Sequence, residues 1–324
     1  MFFVSCGVAP VSEEQKNLAK NELLDKINQK EIVQNKNIKI QHSPTVETKN
    51  KFQKKLVEQK NISKIKLDKN TIDVAPGSVK NQKVDGQPKL GSFLQIRGEL
   101  EDLKGEFLKD ISRKFRISLL GVEMGRMEIK GKSISDDVYQ FFGKLQNNSI
   151  YKYLYAINDL LVTQVDKKTL NPLLVNLEKN ENGVSSISVE KISDGKILFF
   201  ENTIKKGKKS SKERVLEYAG HYFDPLMFLR YIEIVDVEKI KDSKIPVIFR
   251  GRFYDLKPYR IENITKGVGR KKVQLQKIYF ETFKDNKIKK DQKIILQKYS
   301  GEKSKIFSIE GRMKVGVLYG ELFD

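Results

Sequence analysis

From Arg113 onward the apolar residues fall on every second position, and that period limits the fold more than any other feature of the chain. Phe115, Ile117 and Leu119 alternate with Arg116 and Ser118, and Met127 and Ile129 resume the pattern after a turn placed near Gly121 to Gly125. Side chains at period two line one face of a strand, so each such run predicts a half-buried strand and two in succession predict a hairpin. Tyr139, Phe141 and Leu145 continue the alternation, followed by Tyr151, Tyr153, Tyr155 and Ile157, and then by Leu173, Val175 and Leu177 beyond a turn at 166–172. Asn182-Gly183 and Asp194-Gly195 are two-residue hairpin signals, because the tight turns that match strand twist need positive φ. Further strand-like runs cover 247–254, 259–264, 273–280, 294–299 and 306–317, separated by Lys-rich turns. Strands at such regular spacing predict an antiparallel sandwich or barrel.

One helix precedes the alternation and a second interrupts it. Leu100, Leu103, Phe107, Leu108 and Ile111 form a helical stripe over 92–113, weakened by Gly98 and Gly105 at about 1 kcal/mol each relative to Ala. At Asp224-Pro225 a capping residue precedes a proline suited to the first turn, and Leu226, Met227, Phe228, Leu229, Tyr231 and Ile232 follow. The expected fold is therefore mainly β: an antiparallel barrel or half-barrel over 91–324 with one central helix and one N-terminal helix.

Residues 1–90 read differently. Lys, Asn, Gln and Glu dominate 8–90, and Phe52 is the single aromatic there. Such composition buries too little surface to offset the entropy of ordering, so this segment is expected to be a disordered Lys/Asn-rich tether. One short helix is expected within it at 12–29, where Leu18, Leu23, Leu24 and Ile27 share a face.

The net charge is +20, of which 1–90 carry +7 from 17 Lys and 10 acids. Clustered cations favour phosphate polymers through counterion release, but here the charge is spread along the chain. Of 62 basic residues only 11 are Arg, the side chain that forks onto bases. A nucleic-acid partner is not the favoured expectation. Cys6 is the single cysteine, which excludes an internal disulfide and a thiolate cluster. It ends the stretch Phe2-Phe3-Val4-Ser5-Cys6, similar to a bacterial lipobox with Phe3 where Leu is usual, so Cys6 is a candidate lipid attachment site.

The order of these features carries a resemblance. Ile117 to Gly125, with Gly121 and Gly125, resembles the opening hairpin of the bacterial domain-of-unknown-function family numbered 3108. Asp224, Leu226, Leu229 and Arg230 resemble its central helix, and Gly316 to Leu322 its last strand. The likeness spans roughly 112–324 and departs from the family at Ser300-Gly301-Glu302-Lys303 and Phe307, where a Ser-Asp-like turn and a proline are usual. It implies a Gram-negative envelope location, a barrel or half-barrel, and no assigned activity. It also makes lipidation of Cys6 the expected tether. By fold analogy alone, such a barrel often holds an apolar ligand.

No catalytic constellation stands out. With only His42 and His221, a histidine metal site or a Ser-His-Asp triad has little to draw on, and no cofactor or metal is expected. The glycines and lysines at 267–272 lack phosphate-loop spacing and read as a hairpin turn. Asp136-Asp137, and Glu99 with Glu101, read as solvated surface. Asp224 and Arg230, six apart on a helix, fall on different sides and are expected to serve as a cap and a buried structural charge. Tyr151, Tyr153 and Tyr155 are candidates to line a cavity.

The favoured expectation is a monomeric, non-enzymatic envelope module, periplasmic or anchored to the outer membrane through Cys6, whose partner is a membrane or cell-wall component or an apolar ligand. As written, the sequence shows no full export signal, and a cytoplasmic location follows if none exists. The rival is a cytosolic nucleic-acid-binding protein gripping phosphates with its arm and the 284–298 hairpin.

Overall fold

The computed structural model describes residues 90–147, 156–181, 183–193, 195–217, 220–289, 293–301, 304–313 and 316–323. Cys6, the 12–29 helix and Tyr151, Tyr153 and Tyr155 lie outside the described residues.

Among the described residues, helices α1 (Leu90–Asp102) and α2 (Lys104–Phe107) precede β1 (Ile111–Leu119), β2 (Val122–Ser133), β3 (Val138–Asn147), β4 (Asn158–Asp166), β5 (Pro172–Glu181), β6 (Val184–Ser193), β7 (Lys196–Lys205) and β8 (Lys208–Glu217). Helix α3 (Pro225–Ile234) follows, then β9 (Ile245–Ile248), β10 (Phe253–Val268), β11 (Lys271–Lys284), β12 (Lys287–Ile288), β13 (Ile294–Tyr299), β14 (Ile306–Met313) and β15 (Gly316–Leu322). All belong to one sheet of 15 strands in the order β8-β7-β6-β5-β4-β3-β2-β1-β15-β14-β13-β11-β10-β9, with β12 beside β11. The expected antiparallel β architecture with a central helix is what the chain builds, and the sheet is an open one. Its two ends are β8 and β9, and no ladder joins them among the described residues.

Helix α3 is the core around which the sheet bends. Pro225 through Glu233 are all buried, so the helix has no solvent face. An all-round buried helix needs protein on every side, and side chains from well-separated strands supply it. Leu226 lies against Gly143 of β3, where a Cβ would come within 2.8 Å of its Cδ2. Phe228 meets Phe280 of β11 edge to face at 5.4 Å, and Phe223, just before the helix, stacks on Tyr231 at 4.9 Å. One cavity beside α3, between β1, β2 and β14, is about 20 Å³, room for one water.

Several local expectations change. The stripe over 92–113 is not one helix: it breaks after Asp102, and Ile111 opens β1 opposite Gly131. Ladder pairing on β2 outweighs the weak, glycine-bearing helical propensity there. The turn expected at Gly121 to Gly125 is confined to Leu120 and Gly121, whose φ values of 53° and 82° make a two-residue hairpin turn. Gly125 sits within β2, at the register shift beside Ile117, and a Cβ there would lie 2.2 Å from the Gln146 carbonyl oxygen. It is glycine because β3 runs too close for anything larger. The run at 306–317 is two strands, β14 and β15. Strand β8 escapes a pattern search because Lys and Ser fill its first half; Lys206-Gly207, with φ of 50° and 76°, is the turn that marks it.

Candidate functional site

Two buried polar assemblies organise the domain: one grips α3, the other closes the sheet.

The grip on α3 draws on strands far apart in the sheet. At its N-terminus Asp224 accepts the Met227 amide at 2.7 Å and a bond from the Thr163 hydroxyl of β4. Burial pushes Asp224 up to about 6 against these hydrogen bonds, which favour its charged form. Arg230 and Glu233, one turn apart, pair at 2.6 Å, and Arg113 of β1 reaches the same carboxylate at 2.9 Å. Arg230 also donates to the backbone oxygens of Glu106 and Phe107, tying α2 to the helix. At the far end Lys298 of β13 donates to the carbonyls of Ile232 at 3.2 Å and Val235 at 2.6 Å, filling acceptors that a helix end leaves open. Burial draws Lys298 down to about 8, opposed by the charges of Asp236 and Glu233.

The second assembly lies where β8 and β9 approach. The β9–β10 hairpin turns through Arg250 and Gly251, with φ of 53° and 61° and the Phe249 amide bonded to the Arg252 carbonyl at 2.9 Å. That turn docks on the inner face of β6, β7 and β8. Arg250 grips Glu201 of β7 through Nε at 2.8 Å and through a second bond from Nη2. The Gly251 amide donates to Glu190 of β6 at 2.7 Å, and Arg214 of β8 donates to the Gly251 carbonyl at 3.0 Å. Gly251 lies over the Phe199 ring, so a Cβ would approach Cγ to 2.5 Å. Beside it Ile197, Leu216, Tyr222 and Ile248 form a small buried cluster of their own. Among the described residues, the edge of β9 away from β10 meets Phe223 alone, through a parallel bridge to Val247. Side chains and one turn thus close what backbone pairing leaves open.

Burial holds the Glu190 carboxyl up at about 7, opposed by the Gly251 amide. Between its ordinary value of 4.5 and 7 the folded protein keeps a proton that the unfolded chain releases. Stability therefore falls as pH rises through that window. Glu190→Gln retains an acceptor for Gly251 without the ionisation. It is expected to raise the melting temperature at about pH 8 and to leave it nearly unchanged at about pH 4. Asp159 and Asp224 titrate with the same sign, so the difference between wild type and variant isolates Glu190. A variant whose melting curve tracks wild type at both pH values contradicts this account.

The seam is rich in positive charge. Lys212 stands opposite Glu201 in the β7–β8 register, two residues from Arg214, and Arg252 follows the docked turn. Burial lowers both Lys212 and Arg214, and the charges of neighbouring arginines lower them further. Glu201 is thus faced by Lys212 and held by Arg250, with Arg214 and Arg252 close by.

Of the residues singled out in the sequence, Asp224, Leu226 and Arg230 meet around α3, whereas Gly121 and Gly125 shape the β1–β2 hairpin. Asp224 and Arg230 do not touch each other and act as cap and buried charge. Glu99 is a correction: it accepts the Tyr231 hydroxyl at 3.0 Å. Asp136 and Asp137 are exposed between β2 and β3 rather than on a strand. His221 is buried edge to face on Phe223 at 4.8 Å, with burial lowering it to about 3. The 267–272 segment is the β10–β11 hairpin turn, as expected. Glu190, Glu201 and Lys298 were missed. So was Asp159 on β4, pushed up to about 7 by burial and by Glu181 on β5. None carries a local motif, because only strand register assembles them. Among the described residues no group of three or more His, Cys, Asp or Glu is placed to hold a metal ion, and no helix is long and apolar enough to cross a membrane.

Fold and site together define a barrel-like antiparallel β domain, filled by its own helix and closed by a docked turn. The chain belongs to the protein family of unknown function DUF3108, whose model matches residues 114–317. A solved structure similar to it is the beta-barrel-like protein of domain of unknown function DUF1849 from Brucella abortus, at 11% identity and a TM-score of 0.44, covering 67% of this chain and 97% of that one. No curated protein matches the sequence.

Proposed function

We propose that this protein is a non-enzymatic binding module of the cell envelope, tethered by an acyl chain on Cys6, and that it takes an anionic ligand at the seam between β8 and the β9–β10 turn. The observation that carries the ligand class is the imbalance there: Lys212, Arg214, Arg250 and Arg252 outnumber the two carboxyls of the seam, Glu201 and Glu190, and burial holds the second of these up at about 7. Partly desolvated cations in excess of their counterions favour an anion of matching geometry, and guanidinium forks suit a phosphate or carboxylate. The helix-filled interior supports a ligand held at this rim rather than beside α3.

Outside the seam much of the arginine is engaged within the protein, which favours this reading over nucleic-acid binding. Arg113 and Arg230 hold Glu233, Arg116 and Arg126 lie over Phe323 at 5.7 and 5.5 Å, and Arg260 lies over Tyr279 at 5.0 Å.

Two measurements test the proposal. Titration of the full chain with inorganic phosphate, followed by amide chemical shifts, is expected to give saturable changes at the seam. Lys212→Ala with Arg252→Ala is expected to weaken binding at least about tenfold, as for loss of charged hydrogen bonds. Absence of saturable shifts sinks the ligand assignment. Fractionation of the producing cells is expected to place the chain with membranes and to release it on Cys6→Ser. A chain recovered wholly in the cytosol removes the envelope reading.

A further inference from the structure

The outward face of β7 is unusual for a protein surface. Leu198, Phe200 and Ile204 alternate along it at 47%, 38% and 44% exposure, and Ile187 stands beside them on β6 at 51%. Clustered apolar side chains this exposed mark a contact surface. At one end the β7–β8 turn holds Lys205, Lys206, Lys208 and Lys209, all exposed. Lys205 pairs directly with Lys208, and Lys209 stands opposite Ile204. Like charges across a ladder destabilise it, so the turn maintains a concentrated positive tip at some cost to the hairpin.

We infer that this face lies on a bilayer bearing anionic headgroups, with the lysine tip at the headgroups and Leu198, Phe200, Ile187 and Ile204 at the acyl boundary. Flexible lysine stems flanking aliphatic and aromatic side chains match that interface on both counts: apolar burial, and attraction to anionic lipid. A second copy paired edge to edge along β8 fits less well, because Lys208, Lys209, Lys212 and Arg214 outnumber Glu213 and Glu217 on that strand and like charges would meet. The inference rests on the envelope reading and deepens it, by giving the domain a membrane contact of its own besides the acyl chain.

The test uses the full chain carrying Cys6→Ser, so that no acyl chain contributes, sedimented with phosphatidylcholine vesicles and with vesicles one third phosphatidylglycerol. Anionic vesicles are expected to bind it at least about tenfold more tightly, since each lysine near such a surface strengthens binding about fivefold. Lys206→Glu with Lys208→Glu is expected to abolish that preference. Phe200→Ser with Leu198→Ser is expected to weaken binding to anionic vesicles about tenfold; both sites are exposed, and an unchanged melting curve confirms folding. Equal binding to both vesicle types, or no effect of either pair of substitutions, overturns the inference. So does a concentration-dependent dimer that Phe200→Ser abolishes, which assigns the face to a second copy. If vesicle binding fails while native chains still fractionate with membranes, only this contact is lost; if vesicles bind but native chains stay cytosolic, the envelope reading is what fails.

Discussion

Glu233→Ala is expected to lower stability by about 3–5 kcal/mol, the largest single effect among the polar residues of the interior. The carboxylate neutralises two cations, Arg230 on its own helix and Arg113 on β1, with both carboxylate oxygens engaged. Its removal leaves Arg230, almost fully buried, with backbone oxygens alone. Charge without a counterion in a low-dielectric interior is what makes such deletions costly, far beyond the modest net worth of the intact pair. Arg230→Met combined with Glu233→Leu removes both charges of the helix pair and is expected to recover much of the loss. Denaturant unfolding of the two variants checks this. Equal destabilisation by the single and double changes contradicts it.

Gly251→Ala is expected to cost about 2–4 kcal/mol, combining the left-handed backbone penalty with overpacking against Phe199. Gly207 provides the comparison. It also has positive φ, but nothing lies within 4 Å of where its Cβ would stand. Gly207→Ala therefore carries only the backbone term, about 1–2 kcal/mol. The excess at Gly251 measures the docked turn. If the two substitutions cost the same, the turn does not press on β7 and the sheet's ends are not held as described.

The strands were legible wherever one face is oily, as at Phe115, Ile117 and Leu119, and the central helix was legible from Asp224-Pro225 because a cap and a first-turn proline are local signals. Strand β8 was not, since its inner face carries Lys212 and Arg214 in place of aliphatic residues. Those cations are also what made the seam invisible. Glu190, Glu201, Arg214 and Gly251 are distant in sequence and meet only when the curled sheet brings β6, β7 and β8 under the β9–β10 turn. In the sequence Arg250, Arg252, Phe253 and Tyr254 are only a short run of arginine beside aromatics, too little to favour nucleic-acid binding. In the fold Arg250 is committed to Glu201, and Arg252 stands at the rim. The run at 247–254, read from the sequence as one strand, is broken by that turn: Arg250 and Gly251 separate the end of β9 from the start of β10.

An open sheet curls round α3 and is locked by a turn instead of a ladder. Amide hydrogen exchange on the full chain tests it most directly. The Gly251 amide is expected to be protected and to lose that protection in Glu190→Ala, while the β8 amides directed away from β7 exchange quickly. A freely exchanging Gly251 amide together with slow exchange along both edges of β8 would mean that a neighbouring strand, and not the turn, completes the wall.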